Sequence, residues 1–435
     1  MKIFLATLII LFFPVVAEAT PAPLSLDSPA VILVEQTTGR VLYSRNERER
    51  RYPANLTKMV TAMVALEHLG LHDTIIVGQE IRNMPAGFTT NAVPEGETTV
   101  NELLHALLIR SSGEAARVLA FNTIRQRDGR FNITLDQANQ GFSALMNEHV
   151  RALGTTGTRF NNTFGQHFEN HFTTAYDLAI ITRAFMDNPV LAEISAIREY
   201  GSWTNTNQML PDAPHGHPYI IGAKAGFNSV AGHILAAAAY DDGLQLVTIV
   251  LGGTDAHRWQ DTRRLMDFGF NNFRFREIAA EGEHIQTVKI ENPRLGDSDT
   301  LEIILGTGNI SLLSRTEYAA LTRTITFDPL LYVESEDNPT LRAPIEEGSV
   351  VGTVAYTTTG GTVVFEAPVF AARLVYERTF DSDMDYHLAA FFGSVFTRRA
   401  LPYWVGIFGT IIGIIGIISA IKANRAVKNS GRYKF

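Results

Sequence analysis

The stretch that decides the fold is Arg51-Tyr52-Pro53-Ala54-Asn55-Leu56-Thr57-Lys58-Met59. Pro53 punctuates the chain, and a helical pattern follows. Apolar side chains recur at Leu56, Met59, Val60, Met63, Leu66 and Leu69, and Gly70 stops the run. Asn55 is three residues before Lys58, so the two side chains share a helix face. Asn is also a strong N-cap, which predicts that its carboxamide starts this helix.

Working outward, residues 31–44 read VILVEQTTGRVLYS, two apolar runs around Thr37-Thr38-Gly39, which predicts a hairpin. Asn101 to Phe121 and Thr173 to Met186 carry further helical periodicity. A second hairpin is expected where Asp241-Asp242-Gly243 separates Ile234–Tyr240 from Leu244–Leu251. Strands at both ends with helices between predict an α+β domain over 26–275. The texture then changes. Residues 285–375 are short β-rich runs, with Gly360-Gly361 as a hairpin turn, and predict a small all-β sandwich domain over 283–376.

The two ends speak to location. Lys2, the apolar run Ile3–Val16 and Ala17-Glu18-Ala19 read as a signal peptide, residues 1–19. Residues 401–421, LPYWVGIFGTIIGIIGIISAI, carry no formal charge and match the roughly 20 residues of a transmembrane helix. Tyr403 and Trp404 suit the interface, and Gly409 and Gly413 form a GxxxG pair that could meet another helix. The tail 422–435 is basic, so the expectation is a single C-terminal span of the cytoplasmic membrane with the domains outside. Residues 380–400, with Tyr386, Phe391 and Phe392 among polar side chains, form a juxtamembrane segment.

Composition excludes several classes. The 435 residues contain no Cys, so thiol nucleophiles and thiolate metal sites are ruled out. A formal charge of −8 disfavours a broad nucleic-acid surface. There is no HExxH, P-loop or Rossmann glycine pattern. His167 and His171 have i,i+4 spacing, but Asn161, Asn162, Gly165 and Asn170 around them read as loop, so no metal is expected. His215 and His217 read as an exposed loop. The triplets Asn132-Ile133-Thr134 and Asn161-Asn162-Thr163 match a glycosylation sequon and receive no role. No cofactor is implied.

Three segments carry the chemistry: Asn55-Leu56-Thr57-Lys58, Ser112-Gly113-Glu114, and Lys224-Ala225-Gly226. Their order, spacing and flanks resemble SxxK, SxN and KTG of the D-alanyl-D-alanine carboxypeptidases, the low-molecular-mass penicillin-binding proteins of the S11 peptidase type. Asn205-Thr206-Asn207, residues 171–177 and the stretch from Ala343-Pro344-Ile345 to Val351-Gly352-Thr353 also look like family segments. The resemblance implies a penicillin-binding-protein/β-lactamase-like transpeptidase domain followed by a β-sandwich. It implies peptidoglycan stem peptides as substrate.

The departures alter that expectation. Asn55 stands where the family has its serine nucleophile, and a carboxamide does not attack an amide at neutral pH. Glu114 replaces the family asparagine, which predicts an ion pair with Lys58 or Lys224. Ala225 removes a substrate-binding hydroxyl, whereas Lys224 and Gly226 are kept. Two readings follow. One is a non-catalytic scaffold that binds stem peptide or a cell-envelope protein. The other is a working carboxypeptidase in which Lys58 and Ser112, with Ser112 or less favourably Thr57 attacking, carry the reaction.

Overall fold

In the computed structural model, residues 24–85, 87, 92–334, 338–395, 406, 410, 412 and 414–422 are described. The expected signal peptide 1–19 lies outside them.

Five antiparallel strands form the central sheet of the first unit. They are β1 (Ala30–Glu35), β2 (Val41–Arg45), β3 (Ile220–Asn228), β4 (Gly232–Asp241) and β5 (Leu244–Gly253), in the order β2-β1-β5-β4-β3. Asp242 (φ 44°) and Gly243 (φ 79°) both take positive φ in the β4–β5 turn. That is the two-residue hairpin geometry that Asp-Gly favours. Side chains alternate across the strands. Ile32, Val34, Ala236, Ala238 and Ile249 face one core. Val31, Leu33, Leu235, Ala237, Ala239 and Val250 face another.

Helices cover both faces. On the first lie α1 (Thr57–His68), α2 (Val100–Leu108), α3 (Gly113–Asp128), α4 (Leu135–Ala152), α5 (Ala175–Asp187) and α6 (Pro189–Ala196), contributing Met59, Leu107, Leu119, Phe142, Phe185 and Leu191. On the second lies α7 (Asp255–Asn272), with Trp259, Leu265, Met266 and Phe270. Coverage on both sides explains why these strands read as nearly unbroken apolar runs. The run of four alanines at 236–239 lets helices approach on either face.

The expected helical zone 101–121 is two helices. Ser111 takes φ 61°, and Ser112 caps α3 by accepting from Ala115 N at 3.1 Å. α1 also starts differently from expectation. Its N-cap residue is Leu56, and no side chain caps it. The Asn55 carboxamide turns to Lys58 instead.

The first unit runs to Phe275 and takes in Leu312–Thr316; the second comprises Arg276–Ser311 and continues from Glu317. In the second, His284–Glu291, Thr300–Leu305, Thr322–Phe327, Tyr332–Val333, Thr340–Arg342, Val350–Thr357 and Val363–Ala371 join into one seven-stranded sheet. Val288, Leu301, Ile303, Val354 and Val369 centre its core. One pairing, 289–291 with 340–342, is parallel.

A helix over Phe380–Val395 exposes Phe380, Met384, Tyr386, Leu388, Phe391 and Phe392. Of the expected span 401–421, residues 401–405, 407–409, 411 and 413 lie outside the described residues, Gly409 and Gly413 among them; 414–422 is helical. Among the described residues no helix is long and apolar enough to cross a membrane.

Candidate functional site

The first and third motifs meet at the start of α1 and the edge strand β3. A Cβ on Gly226 would lie 3.2 Å from Asn55 N, so only glycine lets the strand pass this close. Gly165 presses from another direction: it has φ 90°, and a Cβ there would lie 2.0 Å from Ala54 O. The motif is thus held between two glycines.

Each motif begins from an unusual backbone. Ala54 (φ 41°), Ser111 (φ 61°) and Ala223 (φ 85°) immediately precede Asn55, Ser112 and Lys224. The other described non-glycine residues at positive φ are Asn46, Asn83, Asp212, Asp242 and Asn292, all of types that tolerate it. For Ala and Ser the conformation costs roughly 1–3 kcal/mol each, and it persists where packing dictates it.

Two lysines lie at the centre, both essentially inaccessible to solvent. Lys58 Nζ donates to Asn55 Oδ1 and to Phe164 O, each at 2.8 Å. Burial, and then the charge of Lys224, hold its pKa well below the usual lysine value. Lys224 Nζ donates to Thr206 Oγ1 at 2.7 Å. Burial lowers its pKa to about 7, and the Arg258 guanidinium pushes the same way. Arg258 donates to Gly226 O at 3.1 Å and pairs with Asp255 at 2.5 Å. The cleft therefore favours an anion, such as a terminal carboxylate.

Glu114 does something the sequence did not suggest. Its Oε2 accepts from Ala92 N at 3.0 Å and Val93 N at 3.2 Å. Its charge also supports that of Arg117, one turn along α3. Arg117 Nη1 donates to Glu80 O and Arg82 O, and Arg82 pairs with Glu95 at 2.7 Å. Glu114 and Arg117 thus grip the two sides of the chain around 80–93. The expected ion pair of Glu114 with Lys58 or Lys224 is not among the described contacts.

Behind α1, His171 Nδ1 accepts from Asn161 N and Asn162 Nδ2, both at 3.1 Å. The remaining ring proton is therefore on Nε2, which donates to Thr57 Oγ1 at 2.9 Å. This tautomer cannot take a proton from Thr57. Burial lowers the His171 pKa to about 3, and His167 adds to the effect. Both nitrogens are occupied by protein groups, which accounts for His171 without a metal. His217 is likewise buried rather than in an exposed loop, with Nε2 3.1 Å from Asp267. His215 stacks on Trp259.

Of the residues the sequence singles out, the structure brings Asn55, Lys58, Lys224 and Gly226 together, places Ser112 at the cap of α3 and Glu114 against Ala92 and Val93, and adds Arg258, Thr206, Phe164 and Arg117, to which the sequence reading gave no role. Arg258 enters from α7, far along the chain, and only the fold brings it to Gly226. Thr206 lies inside the Asn205-Thr206-Asn207 segment, which carried a signal.

Known proteins are similar to this chain in sequence and fold. The family described as D-alanyl-D-alanine carboxypeptidase matches residues 16–255. The D-alanyl-D-alanine carboxypeptidase DacF of Bacillus subtilis is 25% identical over 80% of this chain and 86% of its own. DacC of Escherichia coli is 26% identical over 80% and 84%. Among solved structures, DacD from Francisella tularensis superposes with a TM-score of 0.61 at 21% identity, over 82% of this chain and 96% of its own. Penicillin binding protein 5 from Haemophilus influenzae gives 0.58 at 22%, over 82% and 99%. With more than half of its length matched, this chain belongs to the D-alanyl-D-alanine carboxypeptidase family.

Proposed function

We propose that this family member acts in peptidoglycan metabolism as a binding protein that has lost hydrolysis, held at the outer face of the cytoplasmic membrane. The observation that carries the reading is Asn55 at the nucleophile position, its carboxamide oxygen 2.8 Å from Lys58 Nζ. In a serine hydrolase of this design the lysine takes the hydroxyl proton and the oxygen attacks the scissile carbonyl. Here the lysine meets an acceptor with no proton to give. Ser112 is not a ready substitute. It is fully buried, and its Oγ caps α3.

Binding chemistry remains. Lys224 and Arg258 offer positive charge for the carboxylate of a stem peptide. The partly exposed Asn55 leaves its carboxamide N–H groups for a peptide carbonyl. The signal sequence and the apolar segment 401–421 support export and anchoring.

The test is intact-mass spectrometry after incubation with penicillin, with D-Ala release from a D-Ala-D-Ala peptide followed in parallel. The expected result is neither adduct nor D-Ala, together with saturable peptide binding by calorimetry. A stoichiometric adduct would overturn the reading and mapping it would name the attacking residue.

A further inference from the structure

Beside the cleft, the first unit contains a cavity of about 900 Å³ that the chemistry above does not use. It lies within the size range of small-molecule sites, roughly 300–1,000 Å³. Its walls come from 79–83, α3, the start of α4 and the 161–168 loop. Phe164 belongs to both sites: its carbonyl takes the Lys58 proton, and its ring lies under the Arg117 guanidinium at 5.6 Å.

The charges along this wall are largely spent within the protein. Arg82 is paired with Glu95, and Arg117 Nη1 holds two backbone carbonyls. The side chains of Gln79, Asn83, Gln166 and Asp136 are different. They line the cavity and make no hydrogen bond to another described residue. Phe168, 44% exposed, adds an aromatic face, and Phe121 adds a second. Three uncommitted carboxamides and one carboxylate beside the exposed Phe168 ring suit a ligand with many hydroxyl or acetamido groups and apolar C–H faces. An ion would find few free countercharges.

We propose that this cavity is a carbohydrate-binding site, taking a neutral N-acetylated sugar with Phe168 as the stacking platform and Gln79, Asn83 and Gln166 as hydrogen-bonding partners. Such a site would let the protein hold a glycan independently of the peptide cleft. Arg117 then has a role in this chain: it holds the 80–82 wall of the sugar site through Glu80 O and Arg82 O. The inference goes beyond the peptide reading and does not depend on it.

The experiment titrates the full chain with N,N′-diacetylchitobiose, which carries no peptide, and separately with a D-Ala-D-Ala peptide, by ligand-observed NMR. The disaccharide is expected to bind saturably. Phe168→Ala should weaken it about tenfold, the scale of one lost aromatic contact. Gln79→Ala should weaken it by a smaller factor. Both residues are exposed, so folding should be unaffected, and thermal melts check this. Lys224→Met should leave disaccharide binding intact while abolishing peptide binding. Absence of saturable disaccharide binding overturns the proposal. So does binding that both cavity variants leave unchanged, or binding that Lys224→Met abolishes, which would place the sugar in the cleft. Sugar binding without peptide binding would overturn the peptide reading alone.

Discussion

Behind the first motif lies a neutral, mutually satisfied network, while in front of it cations crowd one another. At the rear, His171, Thr57, Asn161 and Asn162 exchange hydrogen bonds of 2.9–3.1 Å. Asn162 Oδ1 also accepts from Gly165 N at 2.8 Å, and Thr61 donates to Thr163 O at 2.6 Å. At the front, burial and then the charge of Lys224 depress the pKa of Lys58, and burial and then Arg258 depress that of Lys224. The rear stabilises the fold. The front costs stability, because buried like charges oppose one another. Asn55 stands where the family has serine, yet the costly front is kept. A site that serves binding explains this, since proteins commonly give up stability where function needs charge.

The strongest way to break the comparison is at the glycine joining the two sides. Gly165→Ala would set a Cβ against Ala54 O and force an unfavourable φ. We expect a loss of more than about 3 kcal/mol in urea unfolding, at the upper end for overpacking. A nearly neutral Gly165→Ala would mean that the motif is not wedged as described.

His171→Leu comes next. It leaves Thr57, Asn161 N and Asn162 short of a partner, at about 1–3 kcal/mol for each buried group left unmade, partly relieved by water. A loss of about 3 kcal/mol is expected.

The pH dependence separates the two regions. His171 is held near pKa 3 against an ordinary 6.5. Between those values the unfolded chain binds the extra proton, so stability falls as pH drops below 6.5. Lys224 is held near 7 against 10.5. Between those values the unfolded chain again holds more protons, so stability climbs as pH rises from 7 towards 10.5. Lys224→Met should remove its own share of the upper window, leaving the share of Lys58, which is also held below the usual lysine value, and should leave the lower window unchanged. It should also stabilise the protein at pH 7 by about 2 kcal/mol, as replacing a buried charge often does. Unfolding curves collected across pH test both. An upper window that Lys224→Met leaves undiminished would mean that Lys224 is not shifted as described.

These contrasts also show what the sequence could reveal. The hairpin at Asp242-Gly243 was legible because its turn type demands residues that tolerate positive φ. The three motifs were legible from spacing. The break at Ser111 was not, since apolar periodicity runs on across it. α4 was overlooked although Thr134 and Gln137 form a capping box, a signal present in the sequence. Asn55 was expected to cap α1, but its proximity to Lys58 offers its oxygen a stronger, charge-assisted partner when the amine is protonated. Glu114 was assigned to a lysine by charge alone, whereas two backbone N–H groups, set by tertiary structure, take its carboxylate.

The smallest expected effect is the most informative about the proposed loss of hydrolysis. Asn55→Ser restores a hydroxyl three residues from Lys58, in reach of an amine whose lowered pKa suits it to accept a proton. The residues that would place the substrate remain changed. Ala225 offers no hydroxyl, and Glu114 accepts from Ala92 N and Val93 N instead of presenting a neutral amide. Positioning contributes a large part of such catalysis, of order 7–11 kcal/mol for well-oriented groups. D-Ala release by Asn55→Ser should therefore stay at background in a direct assay, and adding Glu114→Asn and Ala225→Thr should be needed before it rises. Rapid turnover by the single variant would locate the whole loss at the nucleophile, and the front of the motif would then be an intact enzyme lacking one oxygen.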